Sequence, residues 1–239
     1  MFRVATIISL SFLTAPLVAF AQDIYPSKED VSGPPQHYSP FVERKVRNRN
    51  FAEGLFWGDT HLHTMFSTDA GMIGNTLTPE NAYRFARGEE VVTSSGQRVR
   101  IGRPLDFLVV SDHAENLGLP VMLEEANREL LATEYGRRLY DLVRAGEGYE
   151  AFQVWGKEGV TQNRDIIGKP KITRTIWDRQ IELADRYNAP GRFTAFIGFE
   201  WTSINNQQQP SNLHRVVVFK EDGRKAGQVL PFSAFDSPD

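Results

Sequence analysis

The sequence predicts an α/β fold with a largely parallel sheet, on three observations. Short apolar runs of strand length alternate with longer segments of helical periodicity, the pattern of strand-helix-strand units. One run, Leu105-Asp-Phe-Leu-Val-Val-Ser111, is continuous rather than alternating, as expected of a strand covered on both faces. Histidines and carboxylates gather where such runs end, which is where α/β sheets and barrels build their sites.

Residues 1–21, MFRVATIISLSFLTAPLVAFA, carry one early cation (Arg3), an apolar stretch from Val4 to Phe20, and a small-x-small end at Ala19-Phe20-Ala21. This is the anatomy of an export signal cleaved after Ala21, and Ser9, Ser11, Thr14 and Pro16 interrupt it too often for a membrane anchor. The expected location is periplasmic or secreted, with no transmembrane span once the signal is removed. Residues 22–50 are polar, rich in Pro and Ser, and lack apolar periodicity, so they read as a leader or linker.

The domain itself is expected over 51–239. It opens with the short strand Gly54-Leu-Phe-Trp-Gly-Asp-Thr-His-Leu-His-Thr64. A short helix follows in 78–88, where Thr78 caps, Pro79 takes the first helical position and Gly88 stops it. The buried strand 105–111 then runs into Asp112-His113. Between Pro120 and Arg144, Val121, Leu123, Leu130, Leu131, Leu139 and Leu142 fall at helical spacing and predict one amphipathic helix, with a break near Gly136. Residues 149–188 also read as mainly helical, stopped by Pro190-Gly191. Two strands close the series, 193–201 and 212–219, separated by a polar loop with Asn205, Asn206 and Gln207 to Gln209. There is no internal repeat. The final Phe235-Asp-Ser-Pro-Asp239 resembles the lead-in to another helix, so the chain reads as an N-terminal fragment.

Composition narrows the function. The 239 residues suffice for one sizeable domain, and 27 Lys and Arg against 30 Asp and Glu give a net charge of -3. Loss of Arg3 with the leader makes the mature chain one unit more negative. That balance offers no broad basic field for nucleic acid or anionic lipid. With no cysteine, disulfides, thiolate nucleophiles, cysteine zinc sites and lipid attachment through cysteine are all excluded. A metal site here must use His and carboxylates. Nothing in the sequence sets the oligomeric state.

Alternation along the first strand places Asp59, His61 and His63 on one face, and imidazoles at i and i+2 either share one metal ion or stand as a hydrogen-bonded structural pair. Asp69, six residues after His63, is read either as a turn-stabilising Asp or as a ligand brought back over the strand end by a loop. Asp112 and His113 close a buried strand, where polar side chains are costly without partners. Glu200 ends an apolar strand, where it is read either as a buried carboxylate that must be paired, protonated or bound to metal, or as a glutamate at the solvent edge. His214 opens the next strand, as a ligand or as a satisfied core histidine.

Taken in order, His-x-His, Asp-His, Glu and His each stand at a strand terminus. Here the sequence resembles the polymerase and histidinol phosphatase (PHP) superfamily. Within it, the resemblance is to the family labelled domain of unknown function 3604, from about Phe56 to the chain end. It is carried by GDTHLHT at 58–64, TPENAYRFARGE at 78–89, DFLVVSDHAENLG at 106–118, IGFEWTS at 197–203 and NLHRVVVF at 212–219.

The resemblance implies a distorted (β/α) barrel of seven strands, incomplete in a fragment, with two or three divalent ions at its carboxyl end. By it, His61 and His63 look like first-motif ligands, Asp69 like the third-ion ligand, and His113 like the second-motif ligand. Glu200 looks like the bridging carboxylate and His214 like a ligand of the next ion. Members complete the site with another His and a late Asp-x-His pair, and no histidine follows His214 here.

The expected function is hydrolysis of a small anionic substrate, a phosphate ester, by metal-activated water. Zinc, manganese and iron all suit His with carboxylate. Asp112 is the candidate orienter of His113 or base, and Arg215 the candidate for a substrate anion, although alternation points Arg215 away from His214. Two rivals stand: a metal hydrolase of an amide, lactone or sulfate ester, and a non-catalytic metal- or partner-binding fragment. Acidic charge and the export signal oppose a nucleic-acid role.

Overall fold

The computed structural model describes residues 55–236, apart from 163, 169 and 206–210. The expected export signal and linker therefore lie outside the described residues. Among the described residues, no helix is long and apolar enough to cross a membrane.

The strands are β1 (Gly58–Leu62), β2 (Val91–Val92), β3 (Arg98–Val99), β4 (Phe107–Val110), β5 (Thr194–Asn205) and β6 (Ser211–Val218). Four of them form one sheet in the order β1-β4-β5-β6, curled into a half-barrel. β2 and β3 make a separate antiparallel hairpin that the sequence reading did not anticipate. β4 is parallel to both β1 and β5, with Val110 opposite Leu62 on one side and Ile197 on the other. Leu108, Val109 and Val110 are fully buried, as the continuous apolar run implies.

The largely parallel sheet expected from sequence is corrected at its last strand, because β5 and β6 are antiparallel from Gly198↔Val218 to Asn205↔Ser211. Only residues 206–210 separate them. A parallel partner needs a crossover of a dozen or more residues, which so short a connection forbids. The sheet is mixed, and four strands rather than seven are present in it among the described residues.

The helices are α1 (Thr68–Met72), α2 (Pro79–Ala86), α3 (Leu119–Glu124), α4 (Arg128–Leu131), α5 (Glu134–Arg144), α6 (Gly148–Trp155), α7 (Pro170–Tyr187) and α8 (Gly223–Ala226). A π-helical turn, Gly156–Val160, continues α6. α2 forms as its sequence dictates: Thr78 and Asn81 make a reciprocal capping box and Pro79 occupies the first turn. The single helix expected over 120–144 is instead three. Ala126 takes φ 50°, Asn127 caps α4 through its side chain, and Thr133 caps α5 by accepting from Gly136 N. Gly136 itself lies inside α5, where a Cβ would meet the Leu130 carbonyl oxygen at 2.2 Å, so it permits close packing rather than a break.

Two apolar clusters hold these pieces. Against the sheet, Trp177 and Ile176 of α7 pack with Tyr83, Leu108, Phe193 and Phe199. The second cluster joins Met72, Leu123, Leu130, Leu139, Val154 and Trp155, from α1 and the helices between β4 and α7. Gln180, buried on α7, donates to the carbonyls of Val110 (3.1 Å) and Gly198 (2.8 Å), tying the helix to two adjacent strands. Gly118, at φ +82°, leads into α3 beneath Ile176, whose Cγ1 would lie 2.4 Å from any Cβ there. These contacts fix the rim on which the polar cluster stands.

Candidate metal centre

The rim is assembled by backbone pairing. Past the end of β4, Glu200 N donates to Asp112 O (3.0 Å) and Ala114 N donates to Glu200 O (2.8 Å), so His113 and Glu200 pair as a parallel bridge. Ser111 N donates to Leu62 O (2.9 Å), which holds the His61 and His63 segment alongside. On β6, His214 stands opposite Thr202. Ladder register alone thus brings four chain segments to one place.

Glu200 is the hub, with a side chain that is 0% exposed. Its Oε2 lies 2.8 Å from His61 Nε2, 2.6 Å from His63 Nε2 and 3.7 Å from His113 Nε2. Its Oε1 contacts His214 Nδ1 and accepts a hydrogen bond from Thr202 Oγ1 at 3.2 Å. The two oxygens of one carboxylate therefore face different imidazoles. Asp69 stands on the first turn of α1, not on a returning loop, because the helix begins directly after Ser67. Its Oδ2 lies 2.9 Å from His63 Nδ1 and 3.7 Å from His113 Nε2.

These residues form three overlapping groups, His61/His63/Glu200, His63/Asp69/His113 and His113/Glu200/His214, each with ligand atoms within 4.8 Å of one another. Donors sharing one ion at about 2.1 Å stand roughly 3 Å apart, so this spacing suits a common cation. His63 Nε2 adds a sharper test. It is buried and makes no aligned hydrogen bond, although Glu200 Oε2 is 2.6 Å away. Two groups aimed beside rather than at each other can both turn to a third partner, as neighbouring ligands of one ion do. The donor set, imidazoles with carboxylates, accepts zinc, manganese or iron alike.

The electrostatics point the same way. Burial opposes a charge on His63, but the hydrogen bond to Asp69 and the negative charges of Asp69 and Glu200 outweigh it and raise its pKa to about 10. Burial likewise opposes the Glu200 carboxylate, yet His63, His113 and His61 bring it down to about 2. Asp69 is held well below the usual carboxylate range by His63 and Ser67, against its own burial. The cluster is thus ionised and draws positive charge. Protons satisfy it when nothing else does, and a divalent cation competes with them.

Second contacts orient the rings. His63 Nδ1 faces Asp69, which leaves Nε2 toward Glu200. His113 Nδ1 faces Glu115 Oε2 (3.2 Å) and Thr202 Oγ1 (3.1 Å), which leaves Nε2 toward Asp69 and Glu200. Glu115 is itself buried and accepts from Ala234 N (2.8 Å) and Thr202 N (3.3 Å). Replacing Glu115 by Gln puts an amide donor against an imidazole that must donate there. We expect metal affinity to fall about 10- to 100-fold, read by competition with a chromogenic chelator.

The structure brings together His61, His63, Asp69, His113, Glu200 and His214, all six sequence candidates for ligands. It does not place the other two with them. Asp112 is buried and accepts from the Thr64 N–H and from Thr64 Oγ1 (2.8 Å), so it braces the turn after His63, while Glu115 is the carboxylate against the His113 ring. Arg215 lies over the Trp201 ring, 5.0 Å from its centroid, on the strand face opposite His214, as alternation requires. Sequence reading missed Ser67, Glu115 and Thr202. Thr202 was findable, being two residues beyond Glu200 and so on its face of the strand. Ser67 donates to Asp69 and accepts from His113 N (3.1 Å), roles that depend on the chain returning beside it and leave no local pattern.

Fold and site together define a mixed α/β domain whose strand ends carry a histidine and carboxylate cluster fit to hold metal. Residues 50–239 match the family model described as "Protein of unknown function (DUF3604)", and the chain belongs to that family. No curated protein and no solved structure matches the chain.

Proposed function

We propose that this chain is an exported PHP-type hydrolase that cleaves phosphate esters at a site for two or three divalent ions. The observation that carries the reading is Glu200, whose two oxygens face separate sets of imidazoles as a bridging carboxylate does. Divalent ions bound there would activate water and neutralise charge on phosphoryl oxygens. The chain's own residues hold and shape the site. His61 and His214, with side chains 46% and 43% exposed, mark the side open to water and substrate. His63 and His113 are the more buried rings, with side chains 17% and 11% exposed; Glu115 and Thr202 hold the His113 ring, and Ser67 holds Asp69.

The test is metal analysis of the full chain purified without chelator, followed by assay on 4-nitrophenyl phosphate and bis(4-nitrophenyl) phosphate. Amide, lactone and sulfate esters run in parallel. We expect bound zinc, manganese or iron, and phosphate-ester hydrolysis that a chelator removes and one of these ions restores. Absence of metal defeats the reading, and turnover of the other substrates alone reassigns the reaction.

A further inference from the structure

A cavity of about 600 Å³ opens beside the cluster, and its two kinds of wall differ in chemistry. Asp69, His113, Thr202 and His214 face it from the site. Phe152 and Trp155 of α6 and Val160 of the π-turn supply an apolar surface. We propose that this surface receives an aromatic or comparably apolar group of the substrate, making the substrate a phosphate ester of an apolar alcohol; the proposal rests on the phosphoesterase reading above.

The apolar wall is built in register with the site. Asn116, three residues beyond His113, adopts φ 57° and accepts from Trp155 Nε1 at 2.9 Å. Its own amide donates to Asp165 at 2.7 Å. The indole is thereby tied to the loop that carries His113, and Phe152 packs beside it with ring centroids 5.6 Å apart. The π-turn widens the end of α6 and carries Val160 to the cavity, a use of such turns common at functional sites. The cavity volume is that of a small-molecule site.

Charge sorts the two ends of the ligand. Asp69 and Glu115 line the cavity, whereas Lys157 is the cation its lining contributes, and it is exposed. An anionic head group is therefore drawn to the ions of the cluster, and the uncharged remainder gains by covering Phe152 and Val160 rather than water.

Binding calorimetry on the metal-loaded full chain tests this without turnover, using phenylphosphonate and methylphosphonate as probes. Phenylphosphonate is expected to bind about tenfold or more tightly. Phe152→Ala is expected to bring the two within about threefold of each other. Val160→Asp, at a half-buried position, makes the same test through a charge in the wall should Phe152→Ala not fold. Equal binding of the probes to the wild-type chain, or a preference untouched by either substitution, overturns the inference and leaves the phosphate reading standing. Binding of neither probe overturns both.

Discussion

Glu200→Ala is expected to remove two of the three overlapping ligand groups at once and leave no more than one ion per chain, by elemental analysis after dialysis. Glu200 belongs to the groups with His61 and His63 and with His113 and His214, while His63, Asp69 and His113 remain. Affinity at the affected positions should drop by more than about 100-fold, since even loss of a partner outside the ligand shell costs 10- to 100-fold. The fold should survive. Two of the imidazoles that Glu200 contacts, His61 and His214, are open to water and so keep a solvent partner when the carboxylate is gone. Glu200→Gln separates charge from shape: it keeps an acceptor for Thr202 but lacks the negative charge that two cations need between them. Equal metal content in wild type and both variants would remove the bridging role and the hydrolase proposal with it.

How much of this was legible depends on the range of the interaction that decides each feature. α2 was readable because its start and stop are local: Thr78 and Asn81 close on each other, and Gly88 sits at φ +83°. The segment from Pro120 to Arg144 was misread because α3, α4 and α5 all send apolar residues, Leu123, Leu130 and Leu139, into the same cluster. Their spacing stays helical across the breaks, and only the caps at Asn127 and Thr133 reveal them. The β5–β6 direction was also recoverable, from the shortness of the connection alone.

The site divides in the same manner. His61, His63, His113, Glu200 and His214 were legible because polar residues closing apolar strands are conspicuous, and ladder pairing then carries them together. Glu115 was not, since its role depends on a loop that folds back through Asn116 at φ 57° and on the distant Ala234 N–H. A glutamate in a polar loop is ordinarily solvated, and no local pattern marks the exception.

Asp112→Ala is expected to lower stability by about 2–4 kcal/mol, because it strands two buried donors of Thr64 in a site where neither can reach water. Asp112→Asn should keep most of that stability. Its carbonyl can accept from Thr64 N and its amide can meet the Thr64 hydroxyl, which then serves as acceptor. The acid and its amide variant also differ in pH dependence when metal is removed by chelator. Burial raises the Asp112 pKa from 3.8 to about 6, against the hydrogen bonds from Thr64 and the charge of His63. Between those values the folded chain holds a proton that the unfolded chain has released, so rising pH favours unfolding. This group's contribution is complete below about pH 4 and fades as pH climbs through 6, whereas the amide introduced by Asp112→Asn has no such proton to lose. Urea melts of the two proteins should therefore diverge across that window, with the wild type losing ground to Asp112→Asn as pH increases. Metal content and turnover in Asp112→Asn should remain near wild type, as befits a brace for the turn after His63. A loss of about 100-fold in turnover with metal retained would make Asp112 a proton acceptor in the reaction instead.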